Sequence, residues 1–178
     1  MKNIAFLVSA NKTIIFEEVA KKLEANDFCS YWITPSQNWH NWLLNKGIPR
    51  DRILNLPEKL SGLSRNELSN NEFQRISYIE NDANVSFRDL YFMDRVLREK
   101  NYHYALRYML KCFDEISLFL KERQIDICFS EQTWNFEIIT TIACNIAGIN
   151  SYYVNTVKVP DGIGVGRFTF FNSYLMSE

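Results

Sequence analysis

One succession of residue types constrains the fold more than any other. Ile125-Asp126-Ile127-Cys128-Phe129-Ser130 is a short apolar run that ends on Glu131. A polar turn, Gln132-Thr133, leads into an apolar-periodic segment that closes at Gly148, and a second strand-like run covers 151–157. Strand, helix, strand is a βαβ unit, which requires a parallel sheet and points its strand ends at whatever the protein binds. The same alternation opens the chain. Residues 4–8 form a continuous apolar run, as in a strand buried on both faces. Ile15, Phe16, Val19, Ala20 and Leu23 recur at helical spacing, with Lys21 and Lys22 facing outward. Residues 28–34 read as strand 2 and residues 53–56, ahead of Pro57, as strand 3. Between them, Trp39, Trp42 and Leu43 mark a helix over 37–46 that stops at Gly47, the tryptophans serving as core or as a ligand platform.

These elements predict an α/β, Rossmann-like doubly wound parallel sheet of five to six strands, order 3-2-1-4-5, with a helical insertion after strand 3 at 57–103. Within the insertion, Ser64 and Glu67 have capping-box spacing, Leu68, Ile76 and Ile79 supply a helical face, and Ser86 starts another helix. The insertion is polar enough to be expected mobile. A stripe at Met109, Cys112, Phe113, Ile116 and Leu120 marks a helix that feeds the strand at Ile125. In the βαβ unit, Trp134, Ile138, Ile142 and Ile146, broadened by Ile139 and Ala143, form the buried face of helix 5. Residues 158–167, with Pro160, Asp161, three glycines and Arg167, read as a loop, and 168–171 as another short apolar run. The chain is expected to be a single domain over 1–178 and the N-terminal half of a larger two-domain protein.

Composition narrows the function. A formal charge of -1 and a pI near 6.2 provide no basic field for binding nucleic acid. Cys29, Cys112, Cys128 and Cys144 contain no CxxC pair and fit buried, reduced thiols. His40 and His103 have no spaced partner, so neither metal nor cofactor is expected. Residues 138–157 lack charge but contain Asn145, Gly148, Asn150 and Asn155, which disfavours a membrane span. A cytoplasmic chain is expected, and no peripheral membrane association is visible in the sequence.

In such a sheet ligands lie at the switch point, outside the carboxyl ends of strands 1 and 4. The turn over residues 9–13 and the segment Glu131 to Asn135 would face each other there, making Ser9, Asn11, Lys12, Thr13, Glu131 and Thr133 the candidates for contact. Each has a second reading. Asn11 or Thr13 can cap helix 1, and Thr133 helix 5. Lys12 can be a solvated lysine. Glu131 can serve as a base or accept from exposed backbone amides. Lys12-Thr13 lacks the glycines of a phosphate-binding P-loop, and Gly162, Gly164 and Gly166 have no helix behind them. Tyr91, Tyr102, Tyr104 and Tyr108 line either a sugar-binding wall or a packed amphipathic face.

Taken together, Ser130-Glu131-Gln132-Thr133-Trp134, Ala147-Gly148-Ile149 and the stretch 160–168 resemble the N-terminal half of bacterial capsule and surface-polysaccharide biosynthesis proteins with GT-B-type glycosyltransferase architecture. Asn150 stands where that pattern has proline. The resemblance implies a truncated acceptor-side domain of a glycosyltransferase. Its partners would be a C-terminal domain that binds the nucleotide-sugar donor, and a glycan or lipid-linked acceptor. It implies Glu131 as the catalytic base, with Asn11, Thr133 and Arg167 on acceptor or phosphate. Arg167 would contact a diphosphate or form a surface ion pair. The isolated chain would be inactive. A sugar-nucleotide 2-epimerase-like domain and a non-catalytic Rossmann-like binding or assembly module are the alternatives.

Overall fold

The computed structural model of the chain describes residues 2–8, 10–156 and 163–167, with side chains as far as 153. The order is β1 (Lys2–Leu7), α1 (Lys12–Glu24), β2 (Phe28–Thr34), α2 (Gln37–Asn45), β3 (Ile53–Asn55), α3 (Leu56–Lys59), α4 (Asn70–Ala83) and α5 (Phe87–Met93). Then come α6 (Tyr102–Glu122), β4 (Ile127–Ser130), α7 (Asn135–Ile146), β5 (Asn150–Thr156) and β6 (Ile163–Arg167). The six strands lie in the order β3-β2-β1-β4-β5-β6. All neighbours are parallel except β5 and β6. The predicted Rossmann-like sheet and its 3-2-1-4-5 order are therefore present.

Strand alternation sorts the core into two layers. Ile4, Phe6 and Val8 point toward Phe16 and Ala20 of α1 and Leu43 of α2, whereas Ala5 and Leu7 meet the helices from α3 to α7 on the other face. On the α1 side an aromatic row follows the register. Trp32, Phe6, Phe129 and Tyr152 stand on β2, β1, β4 and β5, with ring centroids 5.2, 5.6 and 5.7 Å apart in turn. Each such contact contributes about 0.5–1.5 kcal/mol beyond area burial.

Several local expectations change. Helix α1 buries Thr13, Phe16, Glu17 and Ala20 and leaves Ile15 and Val19 about half exposed, so its inner face is rotated from the apolar stripe. Glu17 tolerates burial because Lys21 Nζ lies 2.7 Å from its carboxylate. On α7 the buried face carries Phe136, Ile139, Ile142 and Ala143, with Ile138 and Ile146 toward the rim.

The segment 57–103 is not a polar, mobile appendage. Leu60, Ile76, Ile79, Phe87, Leu90 and Leu97 are buried in the same cluster as Leu7, Ile33 and Cys128 of the sheet. Each such side chain stabilises by about 1.5–3 kcal/mol, which outweighs the polar composition between them. The capping box sits at Ser69 and Glu72, where each side chain bonds the other's amide, rather than at Ser64 and Glu67. Ser86 caps α5 as predicted, through Asp89 N, and Asn101 caps α6 through Tyr104 N. Gly47 and Gly148 adopt φ of +84° and +70° just past α2 and α7, as the stop signals require.

Residues 163–167 form an edge strand, not a loop. Ile163, Gly164, Val165 and Gly166 alternate with the period of a strand, and pairing with β5 satisfies backbone groups that an edge would leave open. Residues 157–162, with Pro160 and Asp161, and the apolar run 168–171 lie outside the described residues.

Candidate functional site

β1 and β4 are adjacent and parallel, Phe6 opposite Phe129, and the chain leaves them toward opposite faces of the sheet. Their carboxyl ends therefore form the switch point, and the β1–α1 and β4–α7 turns flank it. The structure joins the two turns directly. Lys12 Nζ is hydrogen-bonded to Glu131 Oε1, and both side chains are about a quarter exposed, at 27% and 25%. Two of the candidates, 119 residues apart, thus form one ion pair.

The other candidates are placed differently. Asn11 is the N-cap residue of α1 but is exposed and makes no side-chain cap bond. Thr13 is fully buried, and its Oγ1 has no hydrogen-bond partner among the described residues. Ala10, immediately before them, is held at φ +40°, a left-handed conformation that costs a non-glycine residue energy. Ser9 lies outside the described residues. Arg167 is the last residue of β6, its backbone paired opposite Tyr152, and its side chain lies outside the described ones.

Thr133 is exposed and does not cap helix 5; α7 begins at Asn135 with Trp134 at the cap. A carboxylate from within the helix takes that role. Glu137, fully buried, accepts from Thr133 N at 2.6 Å and Trp134 N at 2.9 Å. Asn135 N donates to Asp94 Oδ2 at 3.0 Å. Two carboxylates thus engage three successive donors at the positive end of α7, the stable arrangement for a helix dipole. These amides serve the fold and are not an open oxyanion site.

Asp94 is a residue that the sequence reading missed. It is 8% exposed, and its Oδ1 accepts from Val96 N at 2.8 Å and Leu97 N at 2.9 Å. It ties the loop after α5 to the turn that carries Glu131. Arg95, the next residue, is exposed and lies over the Trp134 ring, 5.2 Å from its centroid. An arginine stacked on an aromatic keeps its N–H edge available to carboxylate or phosphate. The sequence signal was slight: an Asp-Arg pair after an apolar helix, with no periodicity linking it to residue 134.

The tryptophans of α2 pack at the core margin, Trp39 against Trp42 edge-to-face at 5.3 Å. Tyr91 and Tyr102 make a similar contact at 5.1 Å, and Tyr91 Oη donates to Arg98 O and Lys100 O. A cavity of about 790 Å3 lies far from the switch point, lined by Gln124, Ile125, Ala147 and Ile149, which precede β4 and β5 at the amino ends of the strands. The four cysteines are free and buried. Among the described residues no group of His, Cys, Asp and Glu could hold a metal, and no helix is long and apolar enough to cross a membrane.

No protein-family model matches the chain, and no curated protein matches it in sequence. Among solved structures, that of Acinetobacter baumannii MurG matches with a TM-score of 0.53 and 13% identity. The match covers 86% of this chain and 34% of that one, so the chain spans about a third of that protein's length. The fold is that of a GT-B-like Rossmann domain. At this identity the likeness bears on fold alone.

Proposed function

We propose that the chain is the acceptor-side domain of a glycosyltransferase that builds capsular or another surface polysaccharide in the bacterial cytoplasm. The reading rests on one observation: the Lys12–Glu131 pair spans the switch point of a GT-B-like sheet. In this proposal the acceptor hydroxyl approaches Glu131 and draws its carboxylate away from Lys12. The carboxylate then takes the hydroxyl proton as attack on the sugar carbon begins. The released ammonium of Lys12 faces the departing nucleotide diphosphate, and Arg95 and Arg167 contact acceptor or phosphate oxygens. Asn11 and Thr133, both exposed, line the acceptor side. The donor is a nucleotide sugar held by a second, C-terminal domain, and the acceptor a glycan or a lipid-linked glycan.

The test uses the intact gene product with nucleotide sugars and cell-envelope glycan acceptors, followed by product analysis. Transfer of sugar to acceptor is expected, and Glu131→Gln is expected to lower kcat by about 100-fold or more, in the range of a lost general base. Inversion of the nucleotide sugar without transfer would replace this reading by an epimerase. An unchanged kcat in Glu131→Gln would remove the base assignment.

A further inference from the structure

Three large apolar side chains face outward where α5 ends. Phe92, Met93 and Val96 are 58%, 66% and 54% exposed. The segment that carries them is held in place rather than loose. Asp94, buried between them, accepts from Val96 N and Leu97 N and from Asn135 N at the head of α7. The packing that buries Leu90, Asp94 and Leu97 turns the residues between them outward.

Aromatic rings extend this patch. Tyr91 packs edge-to-face on Phe92 at 5.0 Å and on Tyr102 at 5.1 Å, and Tyr102 is itself partly exposed. The Tyr91 hydroxyl, bonded to Arg98 O and Lys100 O, brings residues 98–100 alongside the rings. Around the apolar centre the exposed charges are unequal: Arg88, Arg95, Arg98 and Lys100 against Asp89 and Glu99. Arg88 lies over the Phe92 ring, 5.9 Å from its centroid, and Arg98 Nε is 3.4 Å from Glu99 Oε1. The whole chain carries a formal charge of -1, so the excess of cations belongs to this patch.

We propose that residues 88–102 form a docking surface for an anionic phospholipid membrane. Single exposed apolar side chains need no partner, but a cluster rimmed by polar groups marks a surface that something covers. At a bilayer, Phe92, Met93 and Val96 enter the boundary between headgroups and acyl chains. The tyrosines lie at headgroup level, and the arginines and Lys100 stay beside the phosphates. Each cation near a negative lipid surface strengthens binding about fivefold, which an apolar protein face would not supply. Asp94 ties the patch to the head of α7, so a membrane held here lies beside the carboxyl end of β4. The inference stands on this patch alone and does not require the glycosyltransferase reading.

The experiment measures co-sedimentation of the full chain with vesicles of phosphatidylcholine alone and of phosphatidylcholine mixed equally with phosphatidylglycerol. Partition into the anionic vesicles is expected to be about tenfold or more the stronger, and to fall with added salt. Phe92→Ser with Met93→Ser, and separately Arg88→Gln with Lys100→Gln, are each expected to weaken it about tenfold or more. A second measurement locates the contact without relying on those variants. An environment-sensitive fluorophore attached at Phe92→Cys is expected to shift to the blue on anionic vesicles. The same label at Phe73→Cys, an equally exposed aromatic position on α4, is expected not to shift. The proposal is overturned by no binding to anionic vesicles, by equal partition into both kinds, by unaltered partition in folded variants, or by a label at position 92 that does not respond. Self-association in the absence of lipid that Phe92→Ser abolishes, without vesicle binding, would assign the patch to a second copy of the chain instead.

Discussion

Arg107 shows how much one side chain can organise. Its Nε and Nη2 bond both oxygens of Glu72 at 2.6 and 3.0 Å, and its remaining N–H groups reach Ser64 O, Asn66 O and Glu67 O at 2.8, 3.1 and 3.0 Å. All five guanidinium donors are engaged, a pattern that lysine cannot reproduce. The guanidinium, aided by Ser69, holds the Glu72 pKa down at about 2 from an ordinary 4.5. A depressed carboxylate contributes stability that is fully present above the unfolded value and is lost as pH falls from about 4.5 through about 2. Arg107→Lys is expected to destabilise the fold by about 1–3 kcal/mol at neutral pH. Thermal melts across the acid range should show the variant and the parent converging as pH approaches about 2. A gap that stays constant with pH would contradict this account.

The thiols are governed by burial at the same scale. Burial pushes Cys112 up to about 12, and a hydrogen bond with Cys144, then burial, raises Cys128. Native chain is therefore expected to show almost no rapid reaction with an aromatic disulfide reagent at neutral pH, and to titrate all four cysteines once denatured. A fast-reacting thiol in the native state would refute it.

At the scale of elements, α7 is the helix whose placement decides the candidate site. Its amino end is held by Glu137 from inside and Asp94 from 41 residues upstream. Asp94→Ala is expected to cost about 1–3 kcal/mol and to accelerate amide hydrogen exchange at Asn135, Val96 and Leu97 more than in the sheet. Uniform acceleration would indicate a global effect instead. The start of this helix was legible only within a couple of residues, since Thr133 has the chemistry of a cap and Glu137 acts through a reach-back bond. Likewise Ser64 and Glu67 have the spacing of a capping box, but Arg107 takes the carbonyls of both residues, and the box forms at Ser69 and Glu72 instead. Spacing identifies what a local motif can do; competition from remote donors decides whether it does so.

At the scale of the molecule, the 57–103 segment and the sheet share one core, so they are expected to unfold together. Amides near Ile76 and Ile79 in α4 should approach the protection of β1 in native-state hydrogen exchange, with a single thermal transition. Earlier opening of α4 and α5 would restore the picture of a mobile insertion. The alternation of strands and helices, the Rossmann-like class and the 3-2-1-4-5 order were legible in the chain. Strands buried on both faces read as continuous apolar runs, and right-handed crossovers leave few ways to arrange them. The facing of the turns at residues 12 and 131 follows from that order. What the alternation leaves open is which polar groups the fold consumes. Lys12 meets Glu131, Asp94 meets Asn135 N, and residues 163–167 pair with β5. These are bonds between groups distant in the chain or pairings along an open edge, and no local periodicity encodes them. Only the packed arrangement of helices on the sheet brings those donors and acceptors within reach.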